Sequence, residues 1–183
     1  MGTLIYTALC SLDGFIADDD GNFDWAEPKE DVHSFINGLE ALNDIVLYGR
    51  KLYEIMVAWE DMDLEAMPAY IQDFARAWRK TEKIVYSRSL ESVKTAKTSL
   101  RSTFDPDEVR RLKASHSQVG IGGAQLAGVA LGHGLVDEVN LFVHPEIRGS
   151  GNPALARGVR SHLALVETEQ FASGVALLRY ACR

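Results

Sequence analysis

The stretch VGIGGAQLAG, Val119–Gly128, joins an apolar run of strand length to a helix-forming run through closely spaced glycines. Junctions of this kind bind phosphates in α/β proteins, because glycines let a ligand approach the main chain and the first N–H groups of the helix attract an anion. A tight, closely packed turn explains the same glycines equally well. The spacing is not the dinucleotide fingerprint, since Gln125 stands where GxGxxG needs its last glycine, and no Lys-Ser or Lys-Thr follows as in a P-loop.

Apolar runs alternate with amphipathic segments on both sides of this junction, which predicts an α/β fold. The predicted strands are Leu4–Cys10, Asp44–Tyr48, Lys83–Tyr86, Gln118–Ile121, Glu138–Val143, Leu163–Phe171 and Val175–Tyr180. The predicted helices are Asp31–Leu42, Lys51–Ala58, Pro68–Thr81, Pro106–Ser115 and Ala124–His133. Asp105 gives the fourth helix an N-cap, with Pro106 at the first helical position. The last two strands flank an Ala-Ser-Gly turn, so we expect an antiparallel hairpin on a mostly parallel sheet.

Composition favours one globular domain, residues 1–183, because 46% of the residues are apolar and no linker or repeat interrupts the chain. The net charge of −7 and a pI of about 5.2 disfavour general binding to nucleic acid or to an anionic membrane. No apolar run approaches the roughly 20 residues of a membrane span, and the N-terminus lacks a basic signal region, so the expected compartment is the cytoplasm. The cysteines and the scattered histidines match no metal-binding spacing, so we expect no metal site.

Two further predicted strands end in polar residues, in the stretches VLYGRKLYE (Val46–Glu54) and IVYSRSL (Ile84–Leu90). Their polar side chains are Arg50, Lys51, Ser87, Arg88 and Ser89. Each stretch alone has a simpler explanation, a solvated helix start or an ordinary polar turn. Because ligands bind beyond the carboxyl ends of parallel strands, three such junctions at one edge of the sheet favour a phosphorylated ligand.

Short motifs recur in a characteristic order along nearly the whole chain. They are SLDGFIA (Ser11–Ala17), DW (Asp24–Trp25), YGRKLYE (Tyr48–Glu54), YSRSL (Tyr86–Leu90), GIGGAQL (Gly120–Leu126), GLVDEVNLFVHP (Gly134–Pro145) and FASGVALLRY (Phe171–Tyr180). In this order the sequence resembles the stand-alone relatives of dihydrofolate reductase and of the reductase domain of bacterial riboflavin biosynthesis, the RibD C-terminal domain. The resemblance implies an NADPH-dependent reductase with a dihydrofolate reductase-like three-layer fold, commonly a homodimer in the riboflavin branch.

The resemblance also implies which residues bind cofactor and substrate. The pyrophosphate and adenine-ribose region of NADPH would contact Gly49, Arg50 and Lys51, and its 2′-phosphate would contact Ser87 and Arg88. The pyrophosphate would also meet the helix start formed by Gly122, Gly123, Ala124, Gln125 and Leu126. The nicotinamide pocket would be lined by Ala8, Ile16 and Ala17. The substrate would face Phe35 and Trp25, the latter on a mobile loop that closes over this pocket.

The chain departs from the family pattern at two positions. Leu52 stands where a threonine usually follows Gly-Arg-x, which removes a hydroxyl from the cofactor phosphates. Phe15 replaces the lysine of the riboflavin-branch motif SLDGK, which weakens the case for a phosphoribosyl-pyrimidine substrate. The sequence also lacks H-x-E…P-C-x-x-C, the signature of the zinc deaminase that is generally fused to the riboflavin reductases.

A reductase of this kind must deliver a proton to the atom beside the reduced carbon. A carboxyl at the start of the first predicted helix could serve, and the sequence offers two registers. The resemblance to dihydrofolate reductase implies the pattern W-x-x-P-x-acid, which, counted from Trp25, selects Glu30, whereas counting back from Phe35 selects Asp31. Asp13 is a separate candidate near the nicotinamide. An acidic helix start favoured by the helix dipole, or a turn residue, accounts for the same carboxyls without catalysis.

The sequence thus favours an NADPH-dependent reductase of a small pterin-like or pyrimidine-like heterocycle. One alternative keeps the cofactor and takes a riboflavin-pathway aminopyrimidine as substrate, and another is a non-catalytic protein that senses a nucleotide. The last strands also predict an apolar sheet margin that a two-fold partner would cover, so we expect a homodimer. The residues of this margin are Val166, Phe171, Val175, Leu177 and Leu178.

Overall fold

The computed structural model describes residues 1–183, which form ten strands and six α-helices. The strands are β1 (Thr3–Ser11), β2 (Phe15–Ala17), β3 (Ile45–Gly49), β4 (Glu82–Tyr86), β5 (Thr98–Arg101), β6 (Gln118–Gly122), β7 (Glu138–His144), β8 (Asn152–Pro153), β9 (Leu163–Gln170) and β10 (Ala176–Cys182). The helices are α1 (Glu30–Glu40), α2 (Arg50–Met56), α3 (Ala58–Asp61), α4 (Ala69–Lys80), α5 (Pro106–Ser115) and α6 (Ala124–Gly132), with a 3₁₀ turn at Asp24–Ala26.

Eight strands form one sheet in the order β5-β4-β3-β6-β1-β7-β10-β9. The pairs from β5 to β7 are parallel, and the pairs β7–β10 and β10–β9 are antiparallel, so β10 alone runs against the other strands of this sheet. The predicted sheet with its antiparallel C-terminal hairpin is therefore confirmed. Because β3, β4, β5, β6 and β1 share one direction, their carboxyl ends and the loops that follow them lie along one edge.

Helices cover both faces of the sheet, which gives the predicted three layers. On one face α5 and α6 bury Val109, Leu126 and Ala127 against alternate residues of the central strands, such as Leu4 and Leu47. On the other face α1 and α4 close two smaller clusters. Val32 and Ile36 of α1 pack on β7 and β10, and Trp78 of α4 packs on β3 and β4. No helix has the length and apolar character needed to cross a membrane.

The interior strands and main helices begin and end close to their predicted bounds, and Asp105 caps α5 by accepting the Asp107 N–H at 2.9 Å. Three strands were not predicted. β2 and β8 are too short to show an apolar pattern, and β5 reads TSLR with every residue half-buried at the sheet edge. The helix predicted over residues 51–58 is broken, because α2 ends at Met56 and α3 begins at Ala58.

The apolar residues exposed at the sheet margin differ from those predicted. Val175 and Leu177 are core residues, 3% and 0% exposed, and therefore offer nothing to a partner. Exposed apolar surface on β9 comes instead from Leu165 and Val166, at 57% and 59%. The pairing of β9 with β10 shifts at Val166, which is left opposite no residue because Arg179 pairs with Glu167 and Tyr180 with Leu165.

Candidate ligand-binding cleft

A cleft of about 1680 Å³ runs along the carboxyl ends of β1, β3, β4 and β6. Pockets for a single small ligand have volumes of roughly 300–1,000 Å³. The cleft therefore has room for a large cofactor and a second molecule beside it. Its walls are the strand ends, the segment between β2 and α1, and the inward sides of α1, α3 and α4.

The junction of β6 and α6 brings main-chain N–H groups to the cleft. Gly123 precedes α6 with a φ of 94°, and the first bond of the helix runs from the Ala127 N–H to the Gly123 carbonyl at 2.9 Å. The N–H groups of Ala124, Gln125 and Leu126 consequently have no partner within the helix, and no side chain caps them. All of these residues line the cleft, so the helix offers it unpaired donors and a positive dipole end.

The glycines of the opening stretch serve two different purposes. A Cβ on Gly120 would lie 2.7 Å from Asn43 Nδ2, and one on Gly122 would collide with the Leu52 side chain, so both glycines are needed for close packing. A Cβ on Gly123 would lie 3.6 Å from the Gly49 nitrogen, an ordinary contact, so its backbone conformation is what favours glycine. Gly122 lies outside the cleft lining, whereas Gly123 and Gly49 belong to it.

The predicted cations Arg50, Lys51 and Arg88 all line the cleft. Arg50 is paired with Glu54 at 2.9 Å across one turn of α2. Lys51 and Arg88 are exposed and form no ion pair within the protein. They are therefore free to meet an anionic ligand.

Ser87 is buried and accepts the N–H groups of Ser89 and Leu90 at 3.2 and 2.9 Å. Its oxygen thus fixes the turn that presents Arg88, while its hydroxyl hydrogen remains available to a ligand. Ser102 and Thr103 add two more hydroxyl-bearing residues to the cleft. Sequence reasoning missed them because they follow β5, which was not predicted.

The residues predicted to line the nicotinamide pocket lie in the same cleft. Ala8 comes from β1, and Ile16 and Ala17 come from β2, which packs against β1. Ala8 and Ala17 are buried, and Ile16 packs on the main core cluster. The structure therefore brings these apolar residues together with the β6–α6 junction.

The carboxyls predicted at the start of α1 lie outside the cleft lining. Glu30 is exposed and makes no side-chain hydrogen bond. Asp31 accepts the Ser173 N–H at 2.9 Å and the Val32 N–H at 2.8 Å. The bond from Ser173 is the main cause that lowers the pKa of Asp31, so this carboxylate ties α1 to the β9–β10 turn.

Asp13 also lies outside the cleft lining and connects two loops. It accepts the Ser11 hydroxyl at 2.6 Å, the Gly149 N–H at 2.7 Å and the Arg148 N–H at 3.1 Å. The Ser11 hydroxyl, followed by these main-chain N–H groups, lowers the pKa of Asp13 to about 2. The carboxylate is thus fully engaged as an anchor, which opposes a role as proton donor.

Neither residue predicted to face the substrate lines the cleft. Phe35 belongs to the core and packs edge-on against Phe142 and Phe171, with ring centroids 6.1 and 5.3 Å away. Trp25 is half-buried beneath Arg148, whose guanidinium lies 5.4 Å from the ring centroid. Its neighbours in the 3₁₀ turn, Asp24 and Ala26, are the residues that reach the cleft.

One wall of the cleft consists of aromatic residues that the sequence analysis did not single out as ligands. His33 lies at its centre, with ring centroids 5.1 Å from Tyr70, 5.4 Å from Phe74 and 6.4 Å from Trp59. We call these four residues the aromatic wall, and all of them line the cleft. The i, i+3, i+4 spacing of His33, Ile36 and Asn37 on α1 was the available signal, but it also fits an ordinary core face.

Hydrogen bonds fix the orientation of the His33 ring. Its Nδ1 lies 3.0 Å from Asn37 Oδ1, and Asn37 Nδ2 donates to the Tyr70 carbonyl at 2.7 Å. Burial lowers the pKa of His33, which favours the neutral imidazole. The wall therefore carries one oriented polar group among apolar rings.

Charge is divided along the cleft. The cations stand at the carboxyl ends of β3 and β4, whereas carboxylates come from the segment between β2 and α1. These carboxylates are Asp18, Asp19, Asp20, Asp24 and Glu27. One end of the cleft thus suits an anion and the other does not.

A sheet with helices on both faces and a cleft across the carboxyl ends of its parallel strands defines an α/β protein of the dihydrofolate reductase-like class. The sequence matches the RibD C-terminal domain family over residues 2–177, and the chain belongs to that family. The resemblance seen in the motifs is therefore confirmed.

Individual relatives extend over the whole chain. The chain is 29% identical over 186 residues to the uncharacterised protein YyaP of Bacillus subtilis (strain 168), covering 97% of this chain and 93% of YyaP. A candidate riboflavin biosynthesis protein of Shewanella sp. PV-4 has a similar structure, with a TM-score of 0.77, 20% identity and 99% of both chains covered.

A bifunctional protein of Thermotoga maritima also has this fold. It is named a diaminohydroxyphosphoribosylaminopyrimidine deaminase/5-amino-6-(5-phosphoribosylamino)uracil reductase, and its TM-score is 0.67 at 17% identity. The alignment covers 100% of this chain but 57% of the Thermotoga protein. At this identity the likeness establishes the fold.

Proposed function

We propose that this protein is an NADPH-dependent reductase that transfers a hydride to a small pterin-like or pyrimidine-like heterocycle. The observation that carries the proposal is the β6–α6 junction, where unpaired N–H groups and Gly123 face a cleft that also holds Lys51 and Arg88. Membership of the RibD C-terminal domain family supports a reductase.

The residues present fit NADPH. The N–H groups at the start of α6 suit the pyrophosphate, and the unpaired Arg88 beside Ser87 suits the 2′-phosphate. Ala8, Ile16 and Ala17 give the nicotinamide an apolar surface. When bound, NADPH supplies the hydride, and the chain orients the reactants and limits the access of water. Leu52 contributes no hydroxyl there, so main-chain donors carry more of the phosphate contact.

Cofactor choice tests the proposal. NADPH should bind more tightly than NADH, and Arg88→Ala should remove about tenfold or more of that preference, since a charge-assisted hydrogen bond contributes about 1.5–3 kcal/mol. Calorimetric titration of both dinucleotides measures the ratio. Arg157→Ala is the matched control, because Arg157 is exposed and lies outside the cleft. Equal affinities of the unsubstituted protein for NADPH and NADH would contradict the assignment.

Family membership favours a second candidate, reduction of a phosphoribosylaminopyrimidine as in riboflavin biosynthesis. The same cleft and cofactor would serve, and the substrate would carry a phosphate. Oxidation of NADPH on addition of 5-amino-6-(5-phosphoribosylamino)uracil measures this activity directly. If the protein binds NADPH but none of the heterocyclic acceptors tested leads to its oxidation, the protein would instead be a nucleotide-binding protein without catalysis.

A further inference from the structure

His33 presents an unpaired acceptor to the cleft. Asn37 donates through Nδ2 to the Tyr70 carbonyl, so its Oδ1 faces His33 Nδ1, which must then carry the hydrogen. In the neutral ring Nε2 is left with a lone pair and no hydrogen-bond partner within the protein. The residue is only 8% exposed, yet it lines the cleft. An acceptor at the cleft that has no partner within the protein is available to a ligand N–H.

The rings around His33 determine what shape of ligand fits. Trp59 and Phe74 pack with centroids 4.7 Å apart, and Tyr70 completes the wall beside them. Ile36 and Ile71 also line the cleft and add apolar surface. Flat, apolar walls with one polar group at the centre favour a planar heteroaromatic ring.

The segment between β2 and α1 disfavours an anion on the same ligand. Asp18 and Asp19 are held by hydrogen bonds to loop residues, whereas Asp24 and Glu27 line the cleft without a partner. The chain leads from Glu27 directly into α1, which carries His33. Arg148 is the cation beside this segment, but it lies 3.8 Å from Asp18 and over the Trp25 ring, outside the cleft lining. A phosphate dianion at this end would therefore meet carboxylates without a compensating cation.

We propose that the substrate is an unphosphorylated planar heterocycle, bound on the aromatic wall with a ring N–H donated to His33 Nε2. This inference rests on the proposed reductase function and specifies its substrate class. It separates this protein from a reductase of phosphoribosyl substrates, because the cations of the cleft stand where the cofactor phosphates would bind.

Two probes that differ only in a phosphate test the inference. They are 5-amino-6-(ribosylamino)uracil and its 5′-phosphate, each titrated by calorimetry into protein saturated with NADP⁺, so that no turnover occurs. The nucleoside should bind about tenfold or more tightly than the nucleotide, the change that follows when a phosphate is placed among unneutralised carboxylates.

Substitutions at His33 test the acceptor. His33→Phe keeps an aromatic ring in the wall but removes Nε2, and it should weaken the nucleoside about tenfold while leaving NADP⁺ affinity unchanged. Asn37→Ala releases the ring orientation and should weaken the nucleoside in the same direction. His162→Ala is the matched control, since His162 is exposed and lies outside the cleft. Circular dichroism checks that each variant is folded.

The possible outcomes distinguish failure of this inference from failure of the proposed reductase function. If the unsubstituted protein does not bind NADP⁺ or NADPH, the proposed function fails and the inference falls with it. If it binds the cofactor, the inference alone is overturned by any of three results: no binding of the nucleoside, nucleotide affinity equal to or above that of the nucleoside, or unchanged nucleoside affinity in His33→Phe.

Discussion

At the scale of single residues, the structure distinguishes side chains that face a ligand from side chains that hold the scaffold. The sequence placed glycines and cations at strand ends correctly, because a strand followed by glycine and a helix start has few conformations. It could not place the carboxyls. Glu30 is exposed, and the side chains of Asp31 and Asp13 are directed away from the cleft by contacts with Ser173 and with the Arg148 loop, which the sequence pattern does not show.

Gly123 gives a test at this scale. Gly123→Val should abolish NADPH binding, because a β-branched residue resists a φ of 94° and would shift the N–H groups at the start of α6. Calorimetry measures the affinity, and circular dichroism checks the fold. Gly132→Ala at the other end of α6 is the control, since a Cβ there has nothing within 4 Å. Unchanged affinity in Gly123→Val would show that this glycine serves the turn alone.

Asp13 gives a pH-dependent test. Its pKa is lowered from 3.8 to about 2, so the folded state gains stability from this carboxylate above pH 3.8 and loses it as the pH falls towards 2. Urea unfolding should show Asp13→Asn less stable than the unsubstituted protein above pH 3.8, with the difference shrinking towards pH 2. A difference that stays constant over this range would mean that the charge of Asp13 contributes nothing.

At the scale of secondary structure, burial on both faces decided what could be predicted. The interior strands are apolar runs because helices cover them on both sides. β5 escaped prediction because an edge strand with half-buried Thr98, Ser99 and Arg101 shows neither a run nor an alternation. The helix α4 and the strand β4 were predicted close to their observed bounds, but the burial of Lys83 between them was not, because a charged residue that is only 1% exposed has no signal in the sequence pattern.

Lys83 connects this strand to the preceding helix. Its Nζ donates to the carbonyls of Trp78 and Thr81, both at 2.7 Å, and lies 4.2 Å from the Trp78 ring centroid. Burial lowers the pKa of Lys83 from 10.5 to about 8, so the unfolded chain binds more protons between these values. The contribution of Lys83 to the free energy of unfolding should therefore rise as the pH increases from 8 towards 10.5.

Tyrosines and cysteines also titrate in this pH range, but they are present in both the unsubstituted protein and Lys83→Met. The difference in unfolding free energy between the two proteins therefore reports on Lys83. Urea unfolding of both proteins at several pH values gives the difference in free energy. We expect the difference to shift in favour of the unsubstituted protein as the pH rises. A shift in the opposite direction would mean that Lys83 is stabilised in its charged form by the carbonyls it meets.

At the scale of the whole molecule, the exposed edge strand β9 is the surface on which we expect two copies of the chain to associate. Leu165 and Val166 leave apolar surface on an edge whose unpaired main chain can join another strand, so we expect a homodimer. Light scattering at micromolar concentration should give twice the mass of 20.2 kDa, and Val166→Lys should shift it towards the monomer. Leu42→Lys, at another exposed apolar residue, is the control. A monomeric mass for the unsubstituted protein would refute the expectation.

The packing of Leu52 against Gly122 restricts which pairs of residues homologous proteins can have at these two positions. Because Leu52 occupies the volume that a side chain on residue 122 would need, position 122 cannot gain a side chain unless position 52 becomes smaller. Across homologous sequences the two positions should covary: a side chain at position 122 should appear only where the residue at position 52 is smaller than leucine. Lineages that carry a threonine in place of Leu52 should then tolerate alanine beside the glycine that opens α6, whereas lineages that keep leucine should not.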